Sequence, residues 1–384
     1  MNRFRARMDA SCPDWEVAVV FGRINLFYFA GTMQDGMLLI PRNDSATFWV
    51  RRSYERALDE SLFPQIKPMA TFRDAAGSLK KLPACVYLDT EAVFLALYQR
   101  FHKHFPFAEV RPVDAELGRV RAVKSPFELS LMEQSGRIHQ RVLEERVPAL
   151  LRAGISETEF AAELLSVMVA EGHQGVVRFG MADNELAMGL VNFGESSLYP
   201  VFVDGPGGNL GMNPAAPLVG SRTRRLKQGD LVFIDTGCGV EGYHTDKTLT
   251  YIFGQAPSNE ARIAQTKCVE IQDQIAAMLT PGAIPSRIYE TVIKSLDAGF
   301  LNNFMGFGNR QVKFLGHGIG LQVDEFPALA KGFDEPLQEG MALAIEPKKG
   351  IKGFGMAGIE NTFLVTPHGG RSLTGHSPGL VQVQ

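Results

Sequence analysis

The sequence predicts an α+β protein of two domains, and three observations lead to this prediction. The chain has 384 residues, which is more than one typical hydrophobic core serves. Residues 1–122 alternate short apolar runs with helical patterns, as a small α/β domain does. The remaining residues, 123–384, contain a faint internal repeat, which predicts duplicated lobes with a site between them.

The elements of the first domain follow from apolar runs that turn residues separate. The predicted strands cover residues 16–21, 24–29, 36–40, 46–50 and 84–88, and a helix is predicted over 91–104. The third and fourth strands flank the turn sequence at 41–44, so they should pair as a hairpin. No residue of this domain shows a catalytic pattern.

The second domain is predicted to begin near residues 119–125 with a helix. Ser125 is suited to cap this helix, Pro126 to its first turn and Glu128 to the positive end of the helix dipole. Another helix should follow Ser156. Residues 154–172 resemble residues 282–299, helix for helix, which divides this domain into lobes on either side of residue 255. Chance similarity between two amphipathic helices is the alternative.

Bulk composition argues against several classes of function. The formal net charge is −3 and 45% of the residues are hydrophobic, which is ordinary for a globular protein. A near-neutral chain offers no electrostatic attraction for nucleic acid or an anionic membrane. No apolar run reaches the ~18 residues of a membrane span. We therefore expect neither nucleic acid nor a membrane as a partner.

The cysteines point to a reducing compartment. They stand at positions 12, 85, 238 and 268 without the C-x-x-C spacing of a metal or redox motif. This scatter argues against a disulfide framework. The N-terminal residues 1–7 are basic but lead into acidic residues and lack an apolar signal core. We expect a cytoplasmic protein.

Five side chains in the C-terminal part stand out by their local sequence. They are Asp235 after the apolar run 231–234, Asp246 before a Thr-rich strand pattern, His317 among glycines at 316–320, Glu346 after the run 341–345, and Glu360 before an apolar triplet. Any one of these carboxylates alone is more commonly a strand-end or turn residue. The ordered occurrence of all five favours a common site.

The chemistry of these five residues predicts a metal centre. Four converging carboxylates at the ends of apolar strands would repel one another unless cations neutralised them. Carboxylates with one imidazole suit Mn²⁺, Co²⁺, Fe²⁺ or Zn²⁺. The set exceeds what one catalytic ion needs, so we predict two divalent ions bridged by shared carboxylates and a hydroxide. Neither a phosphate loop at 205–211 nor a nucleophile elbow is indicated.

This ordered set resembles the pita-bread metallopeptidases of family M24, which include methionine aminopeptidase, prolidase and aminopeptidase P, with the metal-free creatinase as a relative. The resemblance covers nearly the whole chain, because residues 25–31 also resemble a segment of the N-terminal domain of prolidase and creatinase. It implies a C-terminal pita-bread fold, a smaller creatinase-type α/β domain before it, and a homodimer.

The resemblance also implies roles for the site residues. Asp235 would chelate one ion, His317 with Glu346 would bind the other, and Asp246 with Glu360 would bridge both. The hydroxide between the ions, with Mn²⁺ favoured, would attack an N-terminal peptide bond while Glu346 carries a proton to the leaving nitrogen. His244 is a further catalytic candidate; a surface or fully hydrogen-bonded histidine is the alternative.

Three positions depart from the pattern of the working prolidases and aminopeptidases P. Leu218 and Asp324 stand where those enzymes have histidines, and Gly358 stands where they have an arginine that helps to hold substrate. Asp324 would favour a cationic substrate group, which makes it a candidate site residue. The missing arginine argues against recognition of a free C-terminal carboxylate, and hence against strict dipeptide specificity.

The sequence therefore predicts an enzyme of the Xaa-Pro aminopeptidase type that acts on a small peptide. One alternative is a hydrolase of a non-peptide C–N bond in an amidine, a guanidine, a modified amino acid or another small amide. Another is a catalytically silent binding protein, which the intact set of five ligands argues against.

Overall fold

The computed structural model describes residues 1–79, 81–180, 185–376 and 378–384. It divides into two compact units, Met1–Arg121 and Ala122–Gln384. The predicted division, between residues 122 and 123, lies one residue later. No helix within the described ranges combines the length and apolar character needed to cross a bilayer.

The first unit is built on a six-stranded mixed sheet with the order β4-β3-β2-β1-β5-β6. Its strands are β1 (Val17–Val20), β2 (Gly36–Pro41), β3 (Thr47–Val50), β4 (Ile66–Pro68), β5 (Cys85–Leu88) and β6 (Glu109–Pro112). Its helices are α1 (Asn2–Ser11), α2 (Arg23–Ala30), α3 (Tyr54–Glu60), α4 (Phe72–Ala76), α5 (Leu95–His102) and α6 (Asp114–Ala122). Alternate residues of β1 belong to two different hydrophobic clusters, so both faces of the sheet are covered.

Most predicted elements of this unit are confirmed, including the β2–β3 hairpin. The strand predicted over 24–29 is wrong, because these residues form helix α2. The run is rich in aromatic residues, which favour strands, but tertiary contacts decide otherwise. The Asp89 carboxylate accepts the Phe21 and Gly22 N–H groups just before the helix, and Gly31 ends it in a left-handed conformation at φ 71°.

The second unit repeats one arrangement, a long helix, a second helix and then antiparallel strands. Its helices are α7 (Pro126–Arg141), α8 (Val147–Leu150), α9 (Glu157–Glu171), α10 (Asn259–Met278), α11 (Pro285–Ser295) and α12 (Ala298–Leu301). Its strands are β7 (Val177–Arg178), β8 (Glu185–Leu186), β9 (Gly189–Phe193), β10 (Leu231–Val240), β11 (Tyr243–Phe253), β12 (Gly306–Phe307), β13 (Arg310–Gln311), β14 (Phe314–Gly318), β15 (Glu325–Ala330), β16 (Ala342–Ile345), β17 (Lys348–Ile351), β18 (Gly355–Gly358), β19 (Asn361–Thr366), β20 (Gly369–Ser372) and β21 (Val381–Val383).

Two larger sheets form the centre of this unit. One has the order β21-β11-β10-β9 and the other β15-β14-β16-β19-β20. A β-bridge between Thr248 and Glu360 joins β11 to the residue before β19. The first sheet shares a hydrophobic core with α9, and the second shares a separate one with α10 and α11. The Thr248–Glu360 bridge is a point at which the two lobes meet.

The predicted helix starts of the second unit are confirmed. Ser125 accepts the Glu128 N–H while the Glu128 carboxylate accepts the Ser125 N–H. Ser156 and Glu159 make the same reciprocal pair at the start of α9. Each pair satisfies backbone donors that the first turn of a helix leaves free.

Candidate metal centre

The two aspartates of the site are positioned by the long β10–β11 hairpin. Asp235 pairs with Thr248 and Asp246 pairs with Gly237, which places the aspartates diagonally on one face of the two strands. The prediction that both aspartates lie at strand ends is wrong. The apolar run stops at Ile234, but β10 continues to Val240 because β11 pairs with it over its whole length, and β9 pairs with it as far as Thr236.

The other three residues come from the second sheet. His317 lies in β14 and pairs with Ala344 of β16. Glu346 follows β16 directly, and its N–H donates to Leu315 O at 3.1 Å. Glu360 immediately precedes β19 and exchanges two backbone hydrogen bonds of 3.2 Å with Thr248. The bridge between the lobes therefore brings Glu360 to the aspartates.

The His317 imidazole is held in one tautomer. Its Nδ1 lies 3.0 Å from Val323 O and 3.1 Å from Gly318 O. Both partners are carbonyls, which only accept hydrogen bonds, so Nδ1 carries a proton. Nε2 then faces the carboxylates, 3.4 Å from Glu346 Oε1 and 3.7 Å from Glu360 Oε1. A carbonyl that fixes the far nitrogen is the usual support of a metal-binding histidine.

A divalent ion fits one part of this cluster. Ligand atoms of Asp246, His317 and Glu360 lie within 4.8 Å of one another. Asp246 Oδ1 and Glu360 Oε1 are buried and have no hydrogen-bond partner among the described residues. Unpaired buried carboxylate oxygens are costly, and a cation would satisfy both. Hard oxygen ligands with one imidazole suit a first-row divalent ion.

The electrostatics of the same atoms indicate a missing positive charge. Burial, followed by the neighbouring carboxylates, raises the pKa of Asp246 and of Glu360 well above the usual range. Burial lowers the pKa of His317, but its hydrogen bond to Glu346 and the nearby carboxylates raise it by more. An ion bound here would therefore compete with protons on its own ligands.

The cluster contains a residue that the sequence analysis missed, Lys348. Its Nζ donates to Asp235 Oδ2 at 2.9 Å, to Glu346 Oε2 at 2.8 Å and to Glu360 Oε2 at 2.7 Å. Burial lowers the pKa of Lys348, but these three carboxylates raise it by more, so the side chain is a cation. Burial also raises the pKa of Glu346, yet Lys348 and His317 offset this and lower it to about 2.

The alternation of side-chain direction along an extended chain is a sequence signal that could have identified Lys348. Residues i and i+2 share a face in extended backbone, and Lys348 stands two positions after the expected ligand Glu346. A lysine beside a strand is more commonly solvated, so the sequence pattern alone does not single out Lys348.

All five expected ligands line one cavity, together with Lys348 and Asp324. Its apolar wall includes Phe179, Leu186, Met188, Leu190, Val203 and Val323, and Asp204 adds a further acidic group. Asp324 is 43% exposed at its side chain, and its carboxylate lies 3.9 Å from the Nδ1 side of His317. It is therefore beside the cluster, on the side of the imidazole away from Glu346.

His244 is not brought to the cavity. Its Nδ1 donates to Gly320 O at 3.1 Å, and its Nε2 accepts the Arg178 N–H at 3.4 Å. Burial lowers the pKa of His244 to about 4. It is a neutral, hydrogen-bonded core histidine, which was the alternative stated for it, and we no longer assign it a catalytic role.

The two other departures lie in different surroundings. Leu218 is buried and is not part of the described cavity lining. Gly358 ends β18 and pairs with Lys348 across the β17–β18 hairpin. A Cβ at position 358 would lie 2.6 Å from Pro347 O and 2.8 Å from Lys348 Cγ. The absence of a side chain at 358 therefore leaves room for the lysine.

Comparisons with known proteins agree with this architecture. Residues 130–367 match the model of metallopeptidase family M24, and residues 1–123 match the creatinase/prolidase N-terminal domain. A Xaa-Pro dipeptidase of Pyrococcus furiosus is 25% identical over 91% of this chain and 91% of its own length. The probable dipeptidase PepE of Mycobacterium tuberculosis is 32% identical over 70% of this chain and 62% of its own length.

Two solved structures show the same fold. The prolidase of Pyrococcus horikoshii superposes with a TM-score of 0.80 at 22% identity and covers 98% of this chain and 97% of its own. The X-Pro aminopeptidase of Thermotoga maritima gives a TM-score of 0.77 at 24% identity, with 99% of both chains covered.

Proposed function

Because the chain belongs to metallopeptidase family M24 and shares its pita-bread fold, we propose that it releases the N-terminal residue from small peptides with proline in second position. The observation that carries this proposal is the group formed by Asp246, His317 and Glu360, whose ligand atoms converge while two buried carboxylate oxygens lack partners. The names of the relatives support the choice of an Xaa-Pro bond.

Four side chains would hold a divalent ion, namely Asp246, His317, Glu346 and Glu360. When bound, such an ion supplies Lewis-acid activation of water and of a scissile carbonyl. The chain itself fixes the His317 tautomer through Val323 O and excludes solvent by burying Glu346 and Glu360. Glu346 borders the cavity, and we assign to its carboxylate the transfer of a proton to the leaving nitrogen.

The charge of the cavity favours a substrate with a free α-amino group. Asp204 and Asp324 add negative charge next to the ligand cluster, and opposite charges attract most strongly where water is partly excluded. Among the described lining residues, only His317 and Lys348 can carry positive charge; three carboxylates engage Lys348, and His317 would be a neutral ligand of the ion. The described lining therefore offers no further cation to a C-terminal carboxylate, which favours Xaa-Pro-Yaa peptides over Xaa-Pro dipeptides.

The apolar wall suits the proline ring. Phe179, Leu186 and Met188 line the same cavity as the acidic residues. Apolar walls with a few placed polar groups are typical of small-molecule sites. An apolar ring beside the scissile bond would be favoured there over a charged side chain.

The test is hydrolysis of four matched peptides in the presence of Mn²⁺, followed by mass spectrometry. These are Ala-Pro-Ala, its N-acetylated form, its C-terminal amide and the dipeptide Ala-Pro. We expect release of alanine from the free and amidated tripeptides, slower release from the dipeptide, and none from the acetylated form. Asp246→Asn should abolish every reaction.

Failure of all four peptides with metal bound would contradict the proposal and redirect the search to non-peptide amides and amidines. Faster cleavage of the dipeptide than of the tripeptide would contradict only the argument from charge.

The preference for manganese, the homodimer and the cytoplasmic location stay predictions. Metal analysis of protein purified without added ions checks the first, and analytical ultracentrifugation checks the second. Two ions per chain were also expected, and Lys348 bears directly on that number.

A further inference from the structure

The Lys348 ammonium is fully engaged by the carboxylate cluster. A lysine ammonium has three N–H donors, and Lys348 Nζ has three carboxylate partners at 2.7–2.9 Å. Its side chain is 1% exposed. The Phe233 ring adds a cation–π contact, with its centroid 5.8 Å from Nζ. The ammonium therefore has a closed, complete coordination sphere of its own.

The carboxylate oxygens of the cluster fall into two groups. One group binds this ammonium, and the other faces a second cation position next to His317 Nε2. Glu346 and Glu360 each turn Oε2 to Lys348 and Oε1 towards His317 Nε2. Both Asp235 oxygens already have a donor, because Oδ2 accepts from Lys348 and Oδ1 accepts from Thr248 at 2.9 Å. Asp235 and Glu346 both lie outside the group of convergent ligand atoms, but Glu346 Oε1 is 3.4 Å from His317 Nε2. The second position is surrounded by Asp246, His317 Nε2 and the two Oε1 atoms.

The backbone is shaped to accommodate the lysine. Lys348 begins β17 and pairs with Gly358 of β18, and a Cβ at 358 would press on Lys348 Cγ at 2.8 Å. The observed position of Lys348 therefore requires a glycine opposite it. The side chain reaches the cluster from a paired strand, so its position is set by the sheet and does not depend on a flexible loop.

Charge excludes a second ion next to the ammonium. Four carboxylates carry four negative charges, and one ammonium with one divalent ion offsets three of them. A further divalent ion at Asp235 would lie within contact distance of a buried ammonium, where like charges repel strongly. One fixed cation and one exchangeable cation therefore neutralise all but one of the four negative charges.

We propose that Lys348 Nζ permanently takes the place of the ion that Asp235 would chelate, so that this centre binds a single divalent ion between Asp246, His317, Glu346 and Glu360. The inference deepens the proposed function, because the single ion would be the one that serves the peptidase reaction. The number of ions is measurable whether or not any peptide is cleaved.

The test is the metal content of the full-length protein. Protein stripped with a chelator and dialysed against Mn²⁺ is analysed by elemental mass spectrometry and by electron paramagnetic resonance. We expect one ion per chain and the six-line signal of isolated Mn²⁺. Two ions per chain, or the exchange-coupled signal of ions about 4 Å apart, would overturn the inference.

Substitution of the lysine gives a second, independent result. Lys348→Met keeps the length of the side chain and removes its charge, so we expect the metal content to rise from one ion to two. Lys352→Met, at an exposed lysine in the turn of the same hairpin, should leave it at one. An unchanged content in a folded Lys348→Met protein would contradict the inference. If that variant does not fold, the resonance signal of the unmodified protein still decides.

The two proposals fail separately. One ion without peptide cleavage would refute the peptidase and leave the single-ion centre standing. Two ions with cleavage would do the reverse, and no bound ion would refute both.

Discussion

Gly358 offers a sharp test of how the β17–β18 hairpin is built around Lys348. Its φ of 153° lies in a range that favours glycine, and a Cβ there would meet backbone and side-chain atoms at 2.6–2.8 Å. In the turn of the same hairpin, Gly353 has a φ of 84°, and a Cβ added to it meets nothing within 4 Å. Alanine at 353 would therefore introduce conformational strain alone, whereas alanine at 358 would introduce strain and a steric clash.

We expect Gly353→Ala to lower the free energy of unfolding by about 1–2 kcal/mol, the strain of a left-handed residue. Gly358→Ala carries a similar strain and adds about 1–3 kcal/mol of overpacking against Pro347 and Lys348. The expected total for Gly358→Ala is about 2–5 kcal/mol.

The assay is urea denaturation with two probes. Both tryptophans, Trp15 and Trp49, belong to the first unit, so their fluorescence follows that unit alone. Circular dichroism follows both units. The loss of unfolding free energy should appear in the circular dichroism transition, and the fluorescence transition should be unchanged. Equal losses for the two variants, within about 0.5 kcal/mol, would refute the collision argument.

Two further predictions concern polar side chains buried in the second unit. Thr248 Oγ1 lies 2.9 Å from Asp235 Oδ1 and 3.0 Å from Glu360 Oε2, where it helps to orient both carboxylates. Thr248→Val should therefore weaken Mn²⁺ binding about 10–100-fold, as measured by calorimetry. Unchanged affinity would exclude this orienting role. Burial lowers the pKa of His139 well below its unfolded value of 6.5, so the unfolded state binds more protons and stability should fall as pH drops below about 6.5. His139→Gln should show a shallower fall in urea titrations from pH 7 to 5, and an equal slope would contradict this.

The ordered motifs were sufficient to predict the five residues that line the cavity. Each motif is local, and its order along the chain is visible without a structure. The fold followed by resemblance, and the family match and the solved relatives confirm it. The helix starts at Ser125 and Ser156 were predictable because capping needs only residues within one turn.

Other features depend on contacts between distant parts of the chain. The helix at Arg23–Ala30 ends in a left-handed glycine and starts beside Asp89, a residue far away in sequence. Asp235 lies in mid-strand because β9 and β11 extend the pairing of β10. The position of Lys348 depends on Gly358 across the hairpin. In the sequence, Gly358 is noticeable only as the replacement of an arginine, and its pairing with Lys348 is not visible there.

The most direct test of the metal centre is a crystal structure of the Mn²⁺-loaded protein with anomalous scattering data. We predict one anomalous peak among Asp246, His317, Glu346 and Glu360, with Lys348 Nζ still bound to Asp235. Two peaks bridged by Asp246 and Glu360, with the Lys348 side chain displaced, would contradict the account of this site.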